Sequence, residues 1–541
     1  MNQHTQLLSG DEAVALAALH AGVRLGTGYP GTPSTEILEA FDRLGGRAQW
    51  SPNEKVALEV GIGAAFAGAR ALVTMKHVGL NVAADPLFTA AYTDVDGGLV
   101  VVSADDPGMA SSQNEQDNRH YARAAALPML EPMDSQQAYD FTRLAFEVSE
   151  RWRIPVILRL TTRVCHSKTL VRPQAPLAAR PEPSFRRDIP ARVMIPAYAK
   201  SAHHRLRQKL AEIAAWNEAE GPTREFAGDS ALGIVATGVA AVHAREAAPQ
   251  ARMLTIGLTY PLPLEAIRRF AAGCERLVVI EEGDPVLHQS LLAAGIPAEG
   301  KPEPYRFGEL TVPRVRRILS RDQTPEPVPP KGKPPELCQG CSHRGVFEVL
   351  RDLGCIVAGD IGCYTLGVLP PFSAMDTCVC MGASIGVGLG LRHVLPESEA
   401  RRVVSVIGDS TFVHSGITGL AEMVYNPPAT GHVVLILDNG TTAMTGQQEH
   451  PGTGRTLSHD PTGKIRFEDL ARAMGVQRVH VVNFGDDDGT LEGLLRELLA
   501  GSETALVVAR QPCVLAAPKI RFYEKAAAER HHACPASVVD D

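Results

Sequence analysis

The strongest indication of the fold is a continuous β-branched run that leads into an acidic turn. It reads Val403-Val404-Ser405-Val406-Ile407-Gly408-Asp409-Ser410. A helical pattern follows over residues 417–425, and a second apolar run over 433–437 ends in Asp438-Asn439-Gly440-Thr441. Continuous apolar runs are typical of strands buried on both faces of a parallel sheet. The order strand, turn, helix, strand therefore predicts an α/β domain with Asp409 and Asn439 at neighbouring strand ends, where such sheets bind ligands.

The polar residues at these strand ends predict a site for a divalent metal and a phosphate group. The Asp409 carboxylate, the Asn439 amide and the Thr441 carbonyl form an oxygen-rich set that suits Mg²⁺ when a diphosphate completes the octahedron. Upstream, Gly382 opens a helix of small residues whose N–H groups could hold phosphate oxygens. The alternative is that Asp409 only caps a helix and Gly382 only permits close packing.

Three α/β bodies are predicted along the chain. Residues 1–185 are expected to form a doubly wound parallel sheet, with strands near 71–75, 99–103 and 155–160 and with helices capped by Ser9 and Asn53. A smaller α/β domain is expected over 223–320, after a charged stretch (186–225) that we expect to be irregular. The remaining segments are a proline-rich linker (321–335), a third α/β domain (336–516) and a tail (517–541).

Composition excludes several functional classes. The chain has 53 Lys and Arg against 61 Asp and Glu, a net charge of −8 without a basic block, so we expect no nucleic-acid partner. The sequence contains no run of 18 uncharged apolar residues, so we expect no membrane-spanning helix. Residues 1–9 are polar and lack the apolar core of a signal peptide, so we expect a cytoplasmic location. Ten cysteines in 541 residues are too sparse for a disulfide scaffold and indicate free, metal-bound or redox thiols.

A single CxxC motif, Cys338 and Cys341, precedes His343. One such motif is compatible with zinc, redox or iron–sulfur roles. A zinc ribbon needs a second CxxC about 15–20 residues further on, and none follows at that distance. Cys378 and Cys380 are separated by only one residue, so the residues alone leave the role of the CxxC open.

Several longer strings resemble the large, α subunit of indolepyruvate:ferredoxin oxidoreductase, a thiamine-diphosphate-dependent 2-oxoacid:ferredoxin oxidoreductase. The strings lie at 28–33, 75–81, 111–117, 406–417 and 438–447, and the resemblance covers about residues 7–516. Gly408-Asp409-Ser410, followed after 27 residues by Asp438-Asn439, is similar to the thiamine diphosphate motif of such enzymes. Ser410 and Asp438 depart from that motif, which has Gly and Asn in their places.

The resemblance implies two thiamine-diphosphate-binding domains, one for the pyrimidine (1–185) and one for the diphosphate (336–516), and a transketolase-C-terminal-like domain between them. It implies that Glu54 hydrogen-bonds the aminopyrimidine ring, with Glu59 as the fallback. Otherwise Glu54 is a first-turn carboxylate that the helix dipole favours. The diphosphate and Mg²⁺ would be held by residues of the third domain: Gly382, Gly408, Asp409, Ser410, Asn439 and Thr441, with Asp409, Asn439 and Thr441 on the metal.

Four cysteines fall on motifs that hold one [4Fe–4S] cluster in related enzymes. They are Cys338, Cys341, Cys363 in Ile361-Gly362-Cys363, and Cys513 in Pro512-Cys513-Val514. The alternative is four unligated thiols. The ferredoxin-like module that usually ends the α subunit is expected to be lacking, since the tail carries only Cys534-Pro535, or electrons are expected to leave through another chain. His77, Asn114 and His343 are candidate substrate-side residues, although a buried hydrogen-bonded role fits each of them as well.

The resemblance implies oxidative decarboxylation of an aryl 2-oxoacid to an acyl-coenzyme A, with electrons passed to ferredoxin or a similar acceptor. The expected partners are a smaller β subunit, coenzyme A and the oxoacid. Two alternatives stay open: a non-oxidative thiamine-dependent decarboxylase or ligase, and a non-catalytic protein that senses redox state or binds ligands through its thiols. The glycine-rich run 386–391 lacks the dinucleotide-binding spacing and is expected to let a helix pack closely on the sheet.

Overall fold

The computed structural model describes residues 5–178, 181–327, 332–483 and 488–533. The chain forms two compact units, which divide between residues 328 and 329. Among the described helices, none is both long enough and apolar enough to cross a membrane.

The first unit contains three sheets and the helices that cover them. Its strands are β1 (Gln6–Ser9), β2 (Leu25–Gly28), β3 (Ala48–Trp50), β4 (Ala71–Lys76), β5 (Leu99–Asp105), β6 (Met129–Leu130), β7 (Val156–Thr161), β8 (Lys168–Val171), β9 (Thr223–Phe226), β10 (Asp229–Thr237), β11 (Ala251–Ile256), β12 (Leu258–Tyr260) and β13 (Leu277–Ile280). Its helices are α1 (Gly10–His20), α2 (Thr35–Arg43), α3 (Glu54–Phe66), α4 (His77–Val82), α5 (Ala84–Ala90), α6 (Arg119–Ala125), α7 (Ser135–Trp152), α8 (Thr162–His166), α9 (Ile189–Arg192), α10 (Pro196–Glu220), α11 (Gly238–Ala247), α12 (Leu264–Ala272), α13 (Val286–Ala293) and α14 (Val312–Leu319).

The largest sheet has the order β12-β6-β7-β5-β4-β2-β3. Strands β2 to β7 run parallel, and β12 joins antiparallel at the edge. Strands β4, β5 and β7 are buried along their whole length, which confirms the strands predicted from their apolar runs. The predicted caps are also present: Ser9 and Glu12 close a capping box on α1, and the Asn53 side chain accepts from the Val56 N–H at 3.0 Å.

A four-stranded sheet with the order β13-β10-β11-β9 forms a second body of the first unit. Strand β12 follows β11 directly but pairs with β6 of the large sheet, Leu258 opposite Leu130. A buried ion pair also joins the two bodies, since Arg119 Nη1 lies 2.5 Å from Glu281 Oε2 and both side chains are at most 3% exposed. The chain after β11 therefore extends the large sheet, and a buried charge pair joins the two bodies.

The stretch 186–225, which the sequence predicts to be irregular, contains the 25-residue helix α10. The prediction was wrong because the helix is rich in charged residues and its apolar stripe is narrow. Its buried side chains are Ala202, Leu206, Leu210, Ile213 and Asn217, spaced three or four residues apart. That spacing places them on one face of a helix, while the other faces carry the charges that hide the pattern.

The second unit is built on one five-stranded parallel sheet with the order β14-β15-β16-β18-β17. Its strands are β14 (Ile356–Ala358), β15 (Val403–Gly408), β16 (His432–Asp438), β17 (Arg478–Asn483) and β18 (Thr504–Arg510). Its helices are α15 (His343–Asp352), α16 (Ala383–Val394), α17 (Glu397–Ala400), α18 (Asp409–Thr411), α19 (Ile417–Tyr425), α20 (Phe467–Met474), α21 (Asp488–Ala500) and α22 (Ala517–Ala533), with a π-helical turn (Phe412–Gly416) between α18 and α19.

The glycine-rich run 386–391 lies inside α16, as the sequence predicts. A Cβ on Gly388 would lie 2.2 Å from Ser405 Oγ on β15, so the glycine is needed for close packing of helix and sheet. The predicted tail differs from expectation, because α22 occupies much of it. Tyr523 of this helix stacks on His459, with ring centroids 4.3 Å apart.

We expect Leu158→Ala to lower the free energy of unfolding of the first unit by about 2–5 kcal/mol, because it leaves a cavity in the centre of the large sheet. Leu158 on β7 is fully buried, whereas Leu170 on β8 is 66% exposed. Leu170→Ala is the matched control, with an expected change within about 0.5 kcal/mol. All three tryptophans lie in the first unit, so tryptophan fluorescence during urea unfolding reports on it alone. Equal effects of the two substitutions would contradict the placement of β7.

Candidate cofactor site

Two neighbouring strands of the second unit end at the predicted metal and phosphate site. Strands β15 and β16 run parallel, with Gly408 opposite Leu437, so Asp409 and Asn439 follow at the same edge of the sheet. Asp409 is 3% exposed and Asn439 is 8% exposed. The structure therefore brings the two side chains together as the sequence predicts.

The Asp409 carboxylate joins both strand ends by hydrogen bonds. It accepts from the Ser410 N–H and from the Gly440 N–H, each at 2.8 Å, and His450 Nε2 lies 3.3 Å from Oδ2. Burial acts to raise the pKa of Asp409, but His450 and the two N–H groups outweigh it and hold the pKa below its ordinary value. Asp409 is therefore an anion at neutral pH despite its burial.

The oxygens of this set retain capacity for a cation. An ionised carboxylate offers about four lone-pair positions, and the two N–H groups use only two of those on Asp409. Asn439 Oδ1 accepts one bond, from the Thr441 N–H at 3.1 Å, which leaves a second lone pair. Thr441 is held by its own hydroxyl, which donates to the Gln448 carbonyl at 3.1 Å. The donor set thus fits a hard divalent cation such as Mg²⁺.

The two departures from the family motif each have a structural partner. Ser410 Oγ lies 2.8 Å from Thr442 Oγ1 and so ties the first strand end to the loop after the second. Asp438 Oδ2 accepts from Arg510 Nε at 2.7 Å. Arg510 also donates to Glu468 at 3.0 Å. Asp438 therefore forms an ion pair with Arg510 at the end of strand β16.

Gly382 lies at the start of α16, but its N–H is engaged by a residue that the sequence analysis missed. The N–H groups of Gly382 and Ser384 donate to the two oxygens of Asp360, at 2.9 and 3.0 Å. Burial raises the pKa of Asp360 above its ordinary value, in spite of these bonds. Asp360 follows strand β14, which is the same strand-end signal that identified Asp409, so it could have been found. A phosphate contact of Gly382 remains a prediction.

His343 lies in the same unit, buried at the start of α15 and packed edge-on against Tyr364 with ring centroids 6.0 Å apart. Burial lowers the pKa of His343 to about 4, while the charge of Asp409 acts in the opposite direction. The imidazole is therefore neutral at physiological pH. His450, beside Asp409, was missed because it lies in the long loop after Asn439, where no periodic pattern marks it.

The four cysteines on the cluster motifs also lie in the second unit. Cys338 is exposed and Cys341, Cys363 and Cys513 are half-buried. Burial, followed by the charges of the other three thiols, raises the pKa of Cys363 to about 11. Burial and the charges of Cys338 and Cys513 likewise raise the pKa of Cys341. The mutual repulsion shows that three separate sequence motifs converge.

A hydrogen bond joins the cysteine group to the loop that carries Asn439 and Thr441. We define the cysteine group as Cys338, Cys341, Cys363 and Cys513. The Cys513 N–H donates to the Asn439 carbonyl at 2.9 Å. The turn between Cys338 and Cys341 passes beside Val514, since a Cβ on Gly340 would lie 3.9 Å from Val514 Cγ1. Cys534 of the tail lies outside the described residues.

Glu54 is the first residue of α3 in the first unit. Its side chain is 5% exposed and packs on the backbone of α4, where a Cβ on Gly79 would lie 2.6 Å from Glu54 Cγ. The fallback residue, Glu59, is exposed and pairs with Lys55 on the helix surface. Burial of a carboxyl group beside α4 favours Glu54 over Glu59 for a role in proton transfer.

In the first unit the His77 side chain contacts the backbone of Asn114 and not its side chain. His77 is fully buried at the start of α4, and its Nε2 lies 3.2 Å from the Asn114 carbonyl. Its Nδ1 has no hydrogen-bond partner among the described residues. Burial lowers the pKa of His77, with Asp105 acting against it. The structure thus gives Asn114 a backbone contact with His77 and leaves its side chain exposed.

Two family models match the chain. Residues 16–201 match the thiamine-diphosphate-binding domain of pyruvate flavodoxin/ferredoxin oxidoreductase, and residues 360–509 match the C-terminal TPP-binding domain of thiamine pyrophosphate enzymes. With the parallel sheets and the strand-end site, these matches define the class: the chain is a thiamine-diphosphate-binding 2-oxoacid oxidoreductase. The sequence-based prediction of two thiamine-diphosphate-binding α/β domains is confirmed.

The chain is 40% identical to indolepyruvate oxidoreductase subunit IorA of Methanothermobacter thermautotrophicus, over 95% of this chain and 88% of that protein. It is 39% identical to the subunit of the same name from Archaeoglobus fulgidus, over 94% and 86%. The chain belongs to the family of indolepyruvate oxidoreductase IorA subunits, which confirms the resemblance seen in the sequence. A solved 2-oxoglutarate:ferredoxin oxidoreductase from Magnetococcus marinus supports the fold, with a TM-score of 0.51 and 17% identity over 59% of this chain and 65% of that one.

We expect Asp409→Ala to weaken the binding of thiamine diphosphate with Mg²⁺ by more than about 100-fold, because it removes the only carboxylate of the proposed oxygen set. Calorimetric titration of the full chain measures the change. Asp352→Ala is the control, since the Asp352 side chain is 60% exposed at the end of α15. Unchanged affinity in Asp409→Ala would remove this strand end from the cofactor site.

Proposed function

We propose that this chain is the large subunit of an enzyme that oxidatively decarboxylates an aryl 2-oxoacid of the indolepyruvate type. The 2-oxoacid and coenzyme A give an acyl-coenzyme A and carbon dioxide. The two electrons released reduce two one-electron acceptors of the ferredoxin kind, and the thiol proton is released. The partners we propose are a smaller β subunit of the same enzyme and a ferredoxin-like electron acceptor.

Bound thiamine diphosphate supplies the nucleophilic carbon and the electron sink that this reaction needs. Glu54 would exchange a proton with the aminopyrimidine ring, a role that needs a carboxyl group shielded from water. Its place at the start of α3, against a glycine of α4, supports this assignment. The Asn53 side chain caps the first turn of α3 and so fixes the backbone at Glu54.

The second unit would hold the diphosphate end. Asp409, Asn439 and the Thr441 carbonyl would bind Mg²⁺, and phosphate oxygens and water would complete its octahedral shell. Gly408 and Ser410 would contact the diphosphate where β15 ends. We accordingly propose that 1–185 is the pyrimidine-binding domain, 223–320 the transketolase-C-terminal-like domain and 336–516 the diphosphate-binding domain, with a linker at 321–335 and a tail at 517–541.

The cysteine group would hold one [4Fe–4S] cluster. Four thiolates are the ligand set of such a cluster. Among the described residues, no three of these Sγ atoms lie within 4.8 Å of one another. A single zinc ion with bonds of about 2.3 Å would draw tetrahedral thiolates to about 3.8 Å apart. Four converging thiols without such a close triplet among the described residues favour a polynuclear cluster over zinc.

The single observation that carries the oxidative assignment is the hydrogen bond from the Cys513 N–H to the Asn439 carbonyl. It connects the electron-transfer group to the loop that would bind the cofactor's metal. A non-oxidative decarboxylase needs no group of converging thiols beside that loop. On the substrate side, we propose His77, Asn114 and His343, of which the two imidazoles are buried and neutral enough to donate or accept one hydrogen bond.

The test is an anaerobic assay of the chain purified with its small subunit, using indolepyruvate, coenzyme A and a viologen dye. We expect dye reduction that depends on both the oxoacid and coenzyme A, with acyl-coenzyme A formed in a ratio of about one per two electrons. Omission of coenzyme A is the control. An aldehyde product with an unreduced dye would overturn the proposal in favour of a non-oxidative decarboxylase.

We expect Cys363→Ser to lower the iron content from about four per chain to well below that number, because three thiolates hold a [4Fe–4S] cluster poorly. Iron and thiamine are quantified on the same anaerobic sample, together with the visible spectrum. Cys355→Ser is the matched control, because Cys355 is also half-buried in this unit and the charges that act on it come from Arg402, Arg392 and Asp376. Equal iron contents in the two variants would contradict the cluster assignment.

A further inference from the structure

A second group of ligating side chains lies in the first unit, apart from every residue assigned above. Asp11 in the first turn of α1, Glu36 in the first turn of α2 and His166 at the end of α8 direct one oxygen or nitrogen each to a common point. These atoms all lie within 4.8 Å of one another. No other group of three or more His, Cys, Asp or Glu side chains is gathered in this way in the described part of the chain.

Asp11 is buried there without an opposite charge among the groups that act on its pKa. Its side chain is 0% exposed, and among the described residues neither carboxylate oxygen has a hydrogen-bond partner. The Cys165 thiol approaches this carboxyl group and acts to lower the pKa of Asp11, but burial outweighs it. Buried polar groups in proteins are nearly always satisfied, so an orphaned carboxylate that faces two other ligating groups points to a missing partner.

Charge adds to the same conclusion. Burial raises the pKa of Asp11 well above its ordinary value, and the negative charges of Glu36 and Glu12 raise it further. A divalent cation would cancel the charges of Asp11 and Glu36 together. The close approach that creates the group is built into the sequence, since a Cβ on Gly10 would lie 2.2 Å from the Val164 carbonyl oxygen. Helix α1 can therefore reach α8 only with glycine at this position.

We propose that Asp11, Glu36 and His166 bind a zinc ion that fastens the ends of α1, α2 and α8. One imidazole and two carboxylates are zinc ligands, and imidazole disfavours Mg²⁺ and Ca²⁺. Zinc with bonds of roughly 2.0–2.2 Å holds its donors about 3.3–3.6 Å apart. Glu36 and His166 are exposed and can adjust their rotamers to close the set, and they give the ion a path from solvent. Water would fill the remaining position.

The site is distinct from the proposed cofactor site and does not depend on it. Helix α2 begins immediately after the turn Tyr29-Pro30-Gly31-Thr32-Pro33, and the Gly31 N–H donates to Thr35 Oγ1 at 2.9 Å. A zinc ion on Glu36 would therefore hold the start of α2 and, through Thr35, this turn. The expected role is structural: binding only to the folded unit raises its stability.

The test is zinc binding by the full chain, freed of metal by a chelator and kept saturated with Mg²⁺. We expect the wild type to bind one more zinc ion than the double variant Glu36→Gln/His166→Gln, in which both altered side chains are exposed and folding is not at risk. Asp11→Asn should weaken this site by more than the roughly 10- to 100-fold loss typical of a group that only supports a ligand. Glu39→Gln, one turn further along α2, is the charge-matched control and should bind like wild type.

Two readouts separate this site from the cysteine group. Co²⁺ at oxygen and nitrogen ligands gives weak visible bands without the intense near-ultraviolet charge-transfer band of thiolates, and the double variant should lose only the former. Added zinc should raise the thermal unfolding midpoint of the first unit, followed by tryptophan fluorescence, in wild type and in Glu39→Gln but not in the double variant. Equal zinc stoichiometry and equal midpoints in wild type and double variant would overturn the proposal and leave Asp11 as a protonated acid.

Discussion

The hydrogen bond from the Gly440 N–H to the Asp409 carboxylate, at 2.8 Å, joins the ends of two parallel strands. Both strands are buried on both faces, so their ends have little freedom to move. A carboxylate at such a place would normally be protonated by burial, but the surrounding N–H groups and His450 keep it charged. Ser410 and Gly440 donate to that anion directly, and the Cys513 N–H donates to the carbonyl of Asn439, the residue before Gly440.

Several other buried titratable groups lie in the same unit as this anion. His343 is buried and neutral, and Asp360 is buried and holds the start of α16 by two N–H groups. Burial, and after it the charges of the neighbouring thiols, raises the pKa values of Cys341 and Cys363. An iron core would relieve that repulsion, because thiolates are stabilised by metal charge. The hydrogen bonds from Gly440 to Asp409 and from Cys513 to Asn439 thus connect the proposed metal site with the proposed cluster site.

The sequence predicted those parts of the fold that local patterns determine. Buried strands such as β5 and β16 are marked by unbroken β-branched runs. The end residues of α19 were predicted correctly, because polar residues at the strand ends mark the boundaries of that segment. Helix α10 was missed since its buried stripe is diluted by charge. His450 and the trio of Asp11, Glu36 and His166 depend on contacts between distant segments. No periodicity or spacing encodes such contacts, so only the folded structure reveals them.

The buried pair of Arg119 and Glu281 bears on how this chain could have been assembled during evolution. Arg119 Nη2 also donates to the Glu282 carbonyl at 2.6 Å, so the four-stranded body supplies both a charge and a backbone oxygen to the larger one. Separating the bodies would leave the buried Glu281 without this guanidinium, while Arg119 would keep only Asp117 of these two charge partners, which is destabilising. Recombination that exchanged one body without the other would therefore need a compensating substitution at Glu281 or Arg119.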